Sequence, residues 1–431
     1  MNQDYFARVV KIKTLQPHPN ADRLQIAVVF GMNVVVGLDT KIGDLCLYLP
    51  SGCQVAWEFA ENNNLLRKPE GGGYLDAKKC NICAIRLRGV KSDGILLPIS
   101  CLDKFGGSYG AKEGDCFDVW NGHAICRKYI PRSNCSRNTV SSGKVKSKEK
   151  INIAPLFAEH VDTSQLSYNL DQFRAGDEIE ISVKMHGTSQ RTGYLPVFKG
   201  YKRSFWDIVM RRKGEPVYDY SYVTGTRRTV LENYECGDYG SNSFREPHSK
   251  FFEGKLWKGE TIYYEVVSFT DKGVPIMGEG EVPKEAQTLY GKTMIFNYGL
   301  SEGSDAYVYR MIMTNEDGNV VEYSPDFMRY RCEQMGVKCV QVFEHCFVPH
   351  EFEGELAGEF VKALAERYYD GTDPVGKTHV REGVVVRILN RPTFTAFKHK
   401  NHSFKMLSGI ALENLSVEKI ENISKDLLEE L

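Results

Sequence analysis

The segment IEISVKMHGTS, residues 179–189, joins a strand pattern to a group of reactive side chains. Its first half, up to Val183, has the composition of a short β-strand. Lys184, His186 and Gly187 follow directly, so the strand delivers them at its end. A Lys-x-x-Gly sequence alone is weak evidence, because average Lys and Gly usage predicts roughly two or three chance matches in a chain of this length. Its meaning depends on the segments that accompany it.

Three other strand-like segments carry charged residues in a regular order. Glu265 lies in the middle of the apolar run TIYYEVV, and Glu382 opens the run EGVVVR. Lys398 and Lys400 alternate in AFKHK and therefore share one face of a strand. Taken singly, each residue has an ordinary structural explanation, as a core ion pair or a solvated strand face. A glutamate among tyrosines and valines is nevertheless costly without a partner, so the ordered set favours a shared site.

Composition sets the scale of the protein. The chain has 431 residues, of which 42% are hydrophobic and 26% charged, which is typical of a globular protein of two or three domains. Its 55 Lys and Arg against 56 Asp and Glu give a net charge of −1. This balance excludes a uniformly basic, histone-like nucleic-acid binder but leaves local basic patches open.

The sequence predicts no membrane segment. The longest uncharged stretch, Leu24 to Leu38, is interrupted by polar residues and glycines and is too short to span a bilayer. The N-terminus lacks the apolar core of a signal peptide, so we expect a soluble, intracellular and cytoplasmic protein. Its 12 cysteines should then be free thiols. The pair Cys80 and Cys83 has zinc-knuckle spacing without a second pair, which favours free cysteines there too.

The first third of the chain divides into two parts. Residues 1–125 contain closely spaced short strands separated by turn signals, a pattern that predicts an OB-like β-barrel, which we expect to be an RNA-binding domain. Residues 126–150 are a basic linker, in which Glu149 is the one acid. The pattern allows two interpretations, a flexible solvated tether or a segment that contacts phosphates. The basic residues of this region are Arg127, Lys128, Arg132, Arg137, Lys144, Lys146, Lys148 and Lys150.

Residues 151–409 are rich in strand patterns and have one clear amphipathic helix, at about 355–369, which predicts an α+β domain. The end of the chain, 410–431, has an apolar stripe at helical spacing and is predicted to be an amphipathic helical tail. Gly371 to Thr378 matches the phosphate loop G-x-x-x-x-G-K-[ST], but a helix precedes it and a strand follows it. That order is the reverse of what a phosphate loop needs, so a surface loop is favoured.

The motifs resemble those of a known family. KMHGTS, YYEVV, EGVVVR and FKHK, in this order, resemble nucleotidyltransferase motifs I, III, IV and V of covalent, lysine-adenylating ligases. The Lys-x-His-Gly form is similar to nick-sealing RNA ligases of the bacteriophage type, whereas DNA ligases and capping enzymes usually have Asp in place of this His. VTGTRR at Arg227 and YVYRMI at Tyr309 resemble two further motifs. VVVGLDTKIGDLCLYLP and IRLRGVKSDGILLP resemble the N-terminal OB-like domain of one branch of RNA ligases.

The resemblance implies the fold and the roles of individual residues. It implies an N-terminal OB-like β-barrel followed by an adenylyltransferase domain of antiparallel sheets with flanking helices. Lys184 would be the catalytic nucleophile, and Glu265 and Glu382 would hold Mg²⁺ or Mn²⁺. Residues implied at ATP or AMP are Val183, His186, Gly187, Arg227, Glu265, Tyr309, Glu382, Lys398 and Lys400.

A basic segment with interleaved aromatic residues provides a candidate RNA contact. Lys202, Arg203, Arg211 and Arg212 lie near Phe205 and Trp206. Basic residues with stacking aromatics suit single-stranded or frayed RNA ends. An exposed charged loop without a ligand is the alternative.

The function implied is an ATP-dependent RNA ligase for RNA repair, which joins 3′-OH and 5′-phosphate ends through lysyl-AMP and RNA-adenylate intermediates. We expect a monomer whose partner is nicked or broken RNA. One alternative is a GTP-dependent mRNA capping guanylyltransferase, which usually needs an OB domain after motif V. The other is a non-catalytic OB-fold RNA-binding protein, which the joint presence of Lys184, Glu265 and Glu382 argues against.

Overall fold

The structure is a computed structural model of the chain. It describes residues 3–68, 73–129, 152–210, 212–231, 233–235, 242–282, 287–407 and 411–413. Almost all of the predicted basic linker, most of the predicted C-terminal tail and Arg211 lie outside the described residues.

The N-terminal part is built from short, mostly antiparallel strands. A four-stranded sheet in the order β10-β1-β5-β9 and a three-stranded sheet in the order β2-β3-β4 form its frame. A shared apolar core with Leu47, Phe59 and Leu97 at its centre packs beneath the first sheet. The elements are β1 (Ala7–Lys11), β2 (Leu15–Pro17), β3 (Leu24–Val29), β4 (Met32–Gly37), β5 (Leu45–Leu49), β6 (Cys53–Val55), α1 (Trp57–Asn62), β7 (Ala84–Leu87), β8 (Val90–Ser92), β9 (Ile95–Pro98), β10 (Cys116–Phe117), β11 (Val119–Trp120), β12 (His123–Ala124) and β13 (Cys126–Lys128).

The larger part contains two principal sheets. One has the order β14-β26-β25-β15-β24, and the other has the order β17-β16-β18-β21-β22, with β23 paired to β21. The elements are β14 (Ser164–Gln165), β15 (Glu178–Val183), β16 (Thr188–Lys202), α2 (Phe205–Val209), β17 (Glu215–Gly225), α3 (Glu246–Phe251), β18 (Glu260–Ser268), β19 (Glu279–Glu281), α4 (Gln287–Tyr290), β20 (Thr293–Ile295), β21 (Ser304–Thr314), β22 (Val320–Glu322), α5 (Pro325–Met335), β23 (Lys338–Cys339), β24 (Val342–Phe347), α6 (Glu355–Glu366), β25 (Gly383–Ile388), β26 (Thr395–Lys400), α7 (His402–Leu407) and β27 (Ala411–Glu413).

Alternation along β15 gives the five-stranded sheet two different faces. Ile179 and Ile181 point into an apolar core that α6 closes from behind with Val361 and Leu364. The opposite face of the strand presents polar side chains that end at Lys184. The six-stranded sheet lies across from this polar face, so a cavity forms between the two sheets.

The two parts of the chain contact each other directly. Asp4 accepts a hydrogen bond from the backbone N–H of Gln165 at 3.0 Å and pairs with Lys398. Lys405 pairs with Asp93, and β27 adds to β7 as a parallel strand. The N-terminal part is therefore held against the larger part at several separate points.

Several predicted elements are confirmed and others need correction. The strands Leu24–Val29 and Glu178–Val183 have the predicted bounds. The helix predicted at 355–369 ends at Glu366. Leu364 is buried as helical spacing with Leu356 and Phe360 predicts, whereas Leu356 is exposed. Ala411–Glu413 is a strand, so the predicted helical tail is wrong at its start, where pairing with β7 overrides helical periodicity.

Gly371–Thr378 forms turns between α6 and β25, as its context predicted, and is not a strand-to-helix phosphate loop. Cys80 and Cys83 are buried free cysteines. In the part of the chain that the structure describes, no helix is long and apolar enough to cross a membrane.

Candidate active site

Three strand ends bring the predicted charged residues together. The backbone N–H of Lys184, after β15, donates to the carbonyl of Gly383 at 3.0 Å. Gly383 begins β25 and pairs with Lys400 at the end of β26. Lys184, Glu382 and Lys400 consequently lie side by side on three adjacent strands.

Glu382 is the centre of this group. The Nζ atom of Lys184 lies 3.0 Å from its Oε2 atom, and the Nζ atom of Lys400 lies 3.0 Å from its Oε1 atom. Burial alone would raise the pKa of this carboxyl, but Lys184, Lys400 and His186 outweigh burial and hold the pKa well below its usual range. Glu382 is therefore an anion that holds two lysine ammonium groups at one point.

The two glycines of this region are required by close approach. A Cβ atom at Gly187 would lie 2.3 Å from the carbonyl oxygen of Val266 on the facing sheet. Gly383 has a φ of 143°, and a Cβ atom there would lie 2.1 Å from the carbonyl oxygen of His399. Neither position has room for a side chain, so both glycines allow the strands around Lys184 to pack closely.

His186 lies beneath the lysine cluster with its ring between aromatic neighbours. The ring contacts Phe296 and Phe404 edge-on, with both centroid distances at 4.6 Å. Its Nδ1 atom lies 3.6 Å from Oε2 of Glu382, and its backbone N–H donates to the Tyr298 hydroxyl at 2.6 Å. Burial lowers the pKa of His186 although Glu382 opposes the shift. The His186 ring thus packs beside Glu382 and limits where its carboxylate can lie.

The facing sheet contributes Glu265 and Tyr309. Glu265, on β18, faces the cavity, and burial raises its pKa to about 7, although nearby Lys184 acts in the opposite direction. Tyr309, on β21, shares a 2.8 Å hydrogen bond between its hydroxyl and the Ser189 hydroxyl. This wall of the cavity thus has a carboxyl that is only partly ionised at neutral pH and an aromatic ring beside it.

A segment that precedes the first cavity strand crosses the opening of the site. His160 contacts Tyr309 edge-on at 5.4 Å, and its backbone N–H donates to the carbonyl of Arg227. Asp162 pairs with both Arg227 and Arg228, the second pair at 2.9 Å. We call residues 157–165 the strap. It occupies the side of the cavity where the resemblance places a phosphate-binding arginine.

Lys398 differs from the expectation for a nucleotide contact. It lies on the same strand face as Lys400, but the residues that line the cavity include Lys400 and not Lys398. The Nζ atom of Lys398 donates to Asp4 Oδ2 and to the carbonyl of Thr163, both at 2.7 Å. The N-terminal part and the strap cover this lysine, which strand periodicity could not predict.

The cavity also contains residues that sequence reasoning missed. Arg245 is buried and lines the cavity, and its guanidinium donates to the carbonyl of Ser189 at 3.1 Å and to the Thr188 hydroxyl. It therefore fixes the chain that leaves the Lys184 motif. Neither Arg245 nor the strap residue His160 belongs to a recognisable pattern, because both act through positions distant in sequence.

The cavity is large enough for a small ligand. Its volume is 530 Å³, within the range typical of ligand pockets. Val183, His186 and Gly187 line it together with Lys184. The structure brings together nine of the ten predicted catalytic and nucleotide residues, and Lys398 is the exception. The lining includes Lys184, Val183, His186, Gly187, Arg227, Glu265, Tyr309, Glu382 and Lys400.

The protein supplies few ligands of its own for a metal ion. Across the described ranges, no group of three or more His, Cys, Asp or Glu side chains is arranged to hold one. Glu265 and Glu382 both face the cavity, and carboxylate oxygens are what Mg²⁺ and Mn²⁺ prefer. Mg²⁺ usually keeps several waters and takes further oxygens from phosphates, so two carboxylates fit such an ion when a nucleotide is present.

The predicted RNA contacts lie elsewhere. Lys202, Arg203 and Arg212 are exposed at the far end of the β16–β17 hairpin, whereas Thr188 and Ser189, at the start of β16, line the cavity. Arg211 is outside the described residues. The hairpin thus carries the basic residues away from Lys184.

Comparisons with known proteins address the fold. A family model described as an OB-fold domain matches residues 6–99. The solved structure of a lysine variant of Naegleria gruberi RNA ligase with AMP and Mn is 16% identical, with a TM-score of 0.58, and the match covers 93% of this chain and 98% of that one. The chain has the fold of an RNA ligase.

Two further structures of the Naegleria gruberi enzyme give similar values. A second lysine variant, with ATP and Mn, is 15% identical with a TM-score of 0.57, and the match covers 93% of this chain and 98% of that one. The enzyme with PPi is 16% identical with a TM-score of 0.58, over 93% and 97% of the two chains. No curated protein sequence matches this chain. An N-terminal OB fold followed by a sheet-dominated α+β ligase fold confirms the predicted fold class.

Proposed function

We propose that this protein is an ATP-dependent RNA ligase that joins RNA 3′-OH and 5′-phosphate ends. The observation that carries the proposal is the group formed by Lys184, Glu382 and Lys400 at the end of a 530 Å³ cavity. It puts a potential nucleophile, an anion that orients it and a second cation within one hydrogen-bond network. The RNA ligase fold supports the same reaction class.

In the first step, the Nζ atom of Lys184 attacks the α-phosphorus of ATP. The ammonium group first releases a proton to solvent; the amine then forms a P–N bond, the bond from phosphorus to the pyrophosphate oxygen breaks, and Nζ releases a second proton to solvent as pyrophosphate leaves. Glu382 aims the amine, because its Oε2 atom lies 3.0 Å from Nζ. Lys400, held on the other oxygen of Glu382, is placed to stabilise the negative charge that develops on the phosphate.

His186 and Gly187 help to position the Lys184 amine. The imidazole of His186 contacts Glu382 and is fixed by Phe296 and Phe404, so the carboxylate keeps its orientation. Gly187 lets the segment after Lys184 lie against the facing strand. Both residues act through geometry, which matters because small displacements of reacting groups reduce rates strongly.

The facing wall would bind the nucleoside. Tyr309 offers an aromatic ring for adenine, and Arg227 offers a guanidinium for a phosphate once Asp162 releases it. Glu265 and Glu382 would hold Mg²⁺ or Mn²⁺, which supplies positive charge at the phosphates and favours the unprotonated lysine. Lys398 would reach a phosphate only after its pair with Asp4 opens.

The remaining two steps transfer and release AMP. An oxygen of the RNA 5′-phosphate attacks the phosphorus of lysyl-AMP, the P–N bond breaks, and Lys184 regains a proton. The RNA 3′-hydroxyl then attacks the activated 5′-phosphate, forms the phosphodiester bond and expels AMP. Lys400 and Arg227, both at the cavity, are the groups available to stabilise these anions.

Incubation with α-labelled ATP or GTP, Mg²⁺ and no RNA tests the proposal. Transfer of label from ATP to the protein, lost in Lys184→Ala, supports it. Label from GTP alone would indicate a guanylyltransferase, and label from neither nucleotide would indicate a non-catalytic protein. A subsequent addition of nicked duplexes, with RNA or DNA on each side of the nick, identifies the strand that is sealed.

A further inference from the structure

The β16–β17 hairpin extends well beyond the sheet that forms the cavity wall. β16 pairs with β18 from Thr188 to Gly193, and beyond Gly193 its strand partner is β17, while the backbone N–H of Phe198 also donates to the carbonyl of Ile153. The 14 residues from Ser189 to Lys202 would span about 40 Å at the usual rise per residue. We call residues 198–219 the arm. Its tip is therefore remote from Lys184.

The tip of the arm exposes large apolar side chains. Phe205 is 73% exposed and Trp206 is 71% exposed, and their rings lie 6.0 Å apart. Val209 and Met210 are also more than half exposed. Asp207 accepts hydrogen bonds from the backbone and the hydroxyl of Ser204, so a capped turn presents the two rings. Adjacent exposed aromatics on an ordered turn are typical of an interaction surface.

The charge of the arm specifies the kind of partner. Across the arm the sequence has six Lys and Arg and three acids, Asp207, Glu215 and Asp219, of which Glu215 lies opposite Lys202 in the hairpin. The described structure pairs none of Lys199, Lys202 or Lys213 with a carboxylate. Asp207, moreover, is occupied by Ser204. The tip thus combines a surplus of positive charge with two exposed rings, which fits an anionic strand whose bases can stack.

We propose that the arm binds unpaired nucleotides of the RNA substrate, about 40 Å from Lys184. Phe205 and Trp206 stack on bases, and Lys202 and Arg203 contact phosphates. This inference rests on RNA as the substrate in the proposed function and adds a second, remote contact to it. The arm then sets the affinity for RNA and leaves the chemistry to the cavity.

The test compares two fluorescently labelled nicked RNA duplexes, one blunt-ended and one with an unpaired extension of about ten nucleotides at either end, a length within typical single-strand site sizes. Binding is measured by anisotropy without ATP. Wild-type protein should bind the extended duplex more tightly. Phe205→Ala/Trp206→Ala should lose about tenfold in affinity for the extended duplex and little for the blunt one, since one stacked base contributes roughly 1–3 kcal/mol.

A second variant separates charge from stacking. Lys202→Ala/Arg203→Ala should reduce the slope of log affinity against log salt by about 1.4, because each phosphate contact on a single strand contributes about 0.7. Tyr330→Ala and Phe251→Ala are matched controls, since they remove exposed aromatics from α5 and α3, outside both the arm and the OB-fold part. Melting temperatures verify that each variant is folded.

Several outcomes would overturn the proposal. These are equal affinity of wild-type protein for both duplexes, unchanged binding in both arm variants, or loss of binding in the matched controls. Arm-dependent binding to vesicles of phosphatidylcholine and phosphatidylserine, without an effect on RNA, would assign the arm to a lipid surface instead. Binding is measured without ATP, so the arm can be tested even if the protein forms no lysyl-AMP. If label is transferred from ATP to the protein but the arm variants bind RNA like wild type, the proposal for the arm is refuted and the proposed function is not.

Discussion

The two walls of the cavity shift the pKa of a glutamate side chain in opposite directions. Glu382, on the five-stranded sheet, is paired with Lys184 and Lys400, and these cations keep its pKa well below normal despite burial. Nearby cations compensate the charge of Glu265, on the six-stranded sheet, to a smaller extent, and burial raises its pKa to about 7. One wall is therefore a preassembled ion network, whereas the other holds a carboxyl whose ionisation depends on what binds.

This difference assigns separate tasks to the walls. The network around Glu382 is complete without a ligand, so it positions Lys184 in advance, which is how preorganised sites lower barriers. The ionised form of Glu265 is stabilised by a cation or a hydrogen-bond donor that the bound substrate brings with it.

Glu382→Gln should reduce the rate of lysyl-AMP formation by about 10³-fold. The amide cannot hold two ammonium groups as the carboxylate does, so Lys184 and Lys400 lose their common anchor. The rate is measured as label transferred from ATP in single-turnover experiments. Glu353→Gln, at an exposed residue before α6, is the matched control. A Glu382 variant within tenfold of wild type would show that the network is structural only.

Lys400→Ala should mainly affect catalysis, whereas Lys398→Ala should mainly affect stability. Loss of Lys400 should lower lysyl-AMP formation by about 10²-fold, since it removes a cation from the cavity. Loss of Lys398 should lower the free energy of unfolding by about 3–5 kcal/mol, because the buried carboxylate of Asp4 loses the ammonium group that compensates its charge. Urea denaturation and label transfer are measured on both variants.

The double variant Asp4→Asn/Lys398→Met provides the control for this pair. It removes both charges at once, so it should recover most of the stability that Lys398→Ala loses. Equal losses of label in the Lys398 and Lys400 variants, with unchanged stability in both, would contradict the division between them.

Glu265→Gln should change how stability depends on pH. A carboxyl whose folded pKa is raised to about 7 stabilises the fold below its unfolded pKa of about 4.5, and this contribution disappears as pH rises through 7. Wild-type protein should therefore lose about 1–3 kcal/mol relative to Glu265→Gln between pH 4.5 and pH 8. The measurement is the difference between their free energies of unfolding across that pH range. The contributions of the other titrating groups cancel in this difference. A constant difference would show that folding does not shift the pKa of Glu265.

Asp162→Asn should have the smallest effect. Its pairs with Arg227 and Arg228 are partly exposed, so the variant should lose less than about 1 kcal/mol of stability. Because Asp162 competes with phosphates for Arg227, the KM for ATP in label transfer should fall about two- to fivefold. A higher KM would mean that Asp162 positions Arg227 for the nucleotide rather than competing with it.

Strand periodicity predicted much of the larger domain, because its strands are buried on one face and have clear ends. The motif order predicted that Lys184, Glu265 and Glu382 would share a site, and their side chains do line one cavity. Periodicity also placed Lys398 and Lys400 on one face. It could not show that Asp4, almost 400 residues away, covers Lys398, since long-range packing leaves no local pattern.

The same limit explains the other differences. Arg245 and the strap reach the cavity through hydrogen bonds to backbone atoms, which have no residue signature. The start of the tail was predicted to be helical because its apolar spacing fits a helix, but a partner strand decided its conformation. Tertiary contacts thus determined the features that local sequence did not.

Peptide mapping by mass spectrometry after incubation with ATP and Mg²⁺ tests whether Lys184 is the nucleophile. The proposal predicts one AMP per protein, released by acid as expected for a P–N bond, on the peptide that contains Lys184. No adduct should form in Lys184→Arg, which keeps the charge beside Glu382 and removes the amine. An adduct on Lys400 or Lys398, or an unmodified protein under these conditions, would contradict the account.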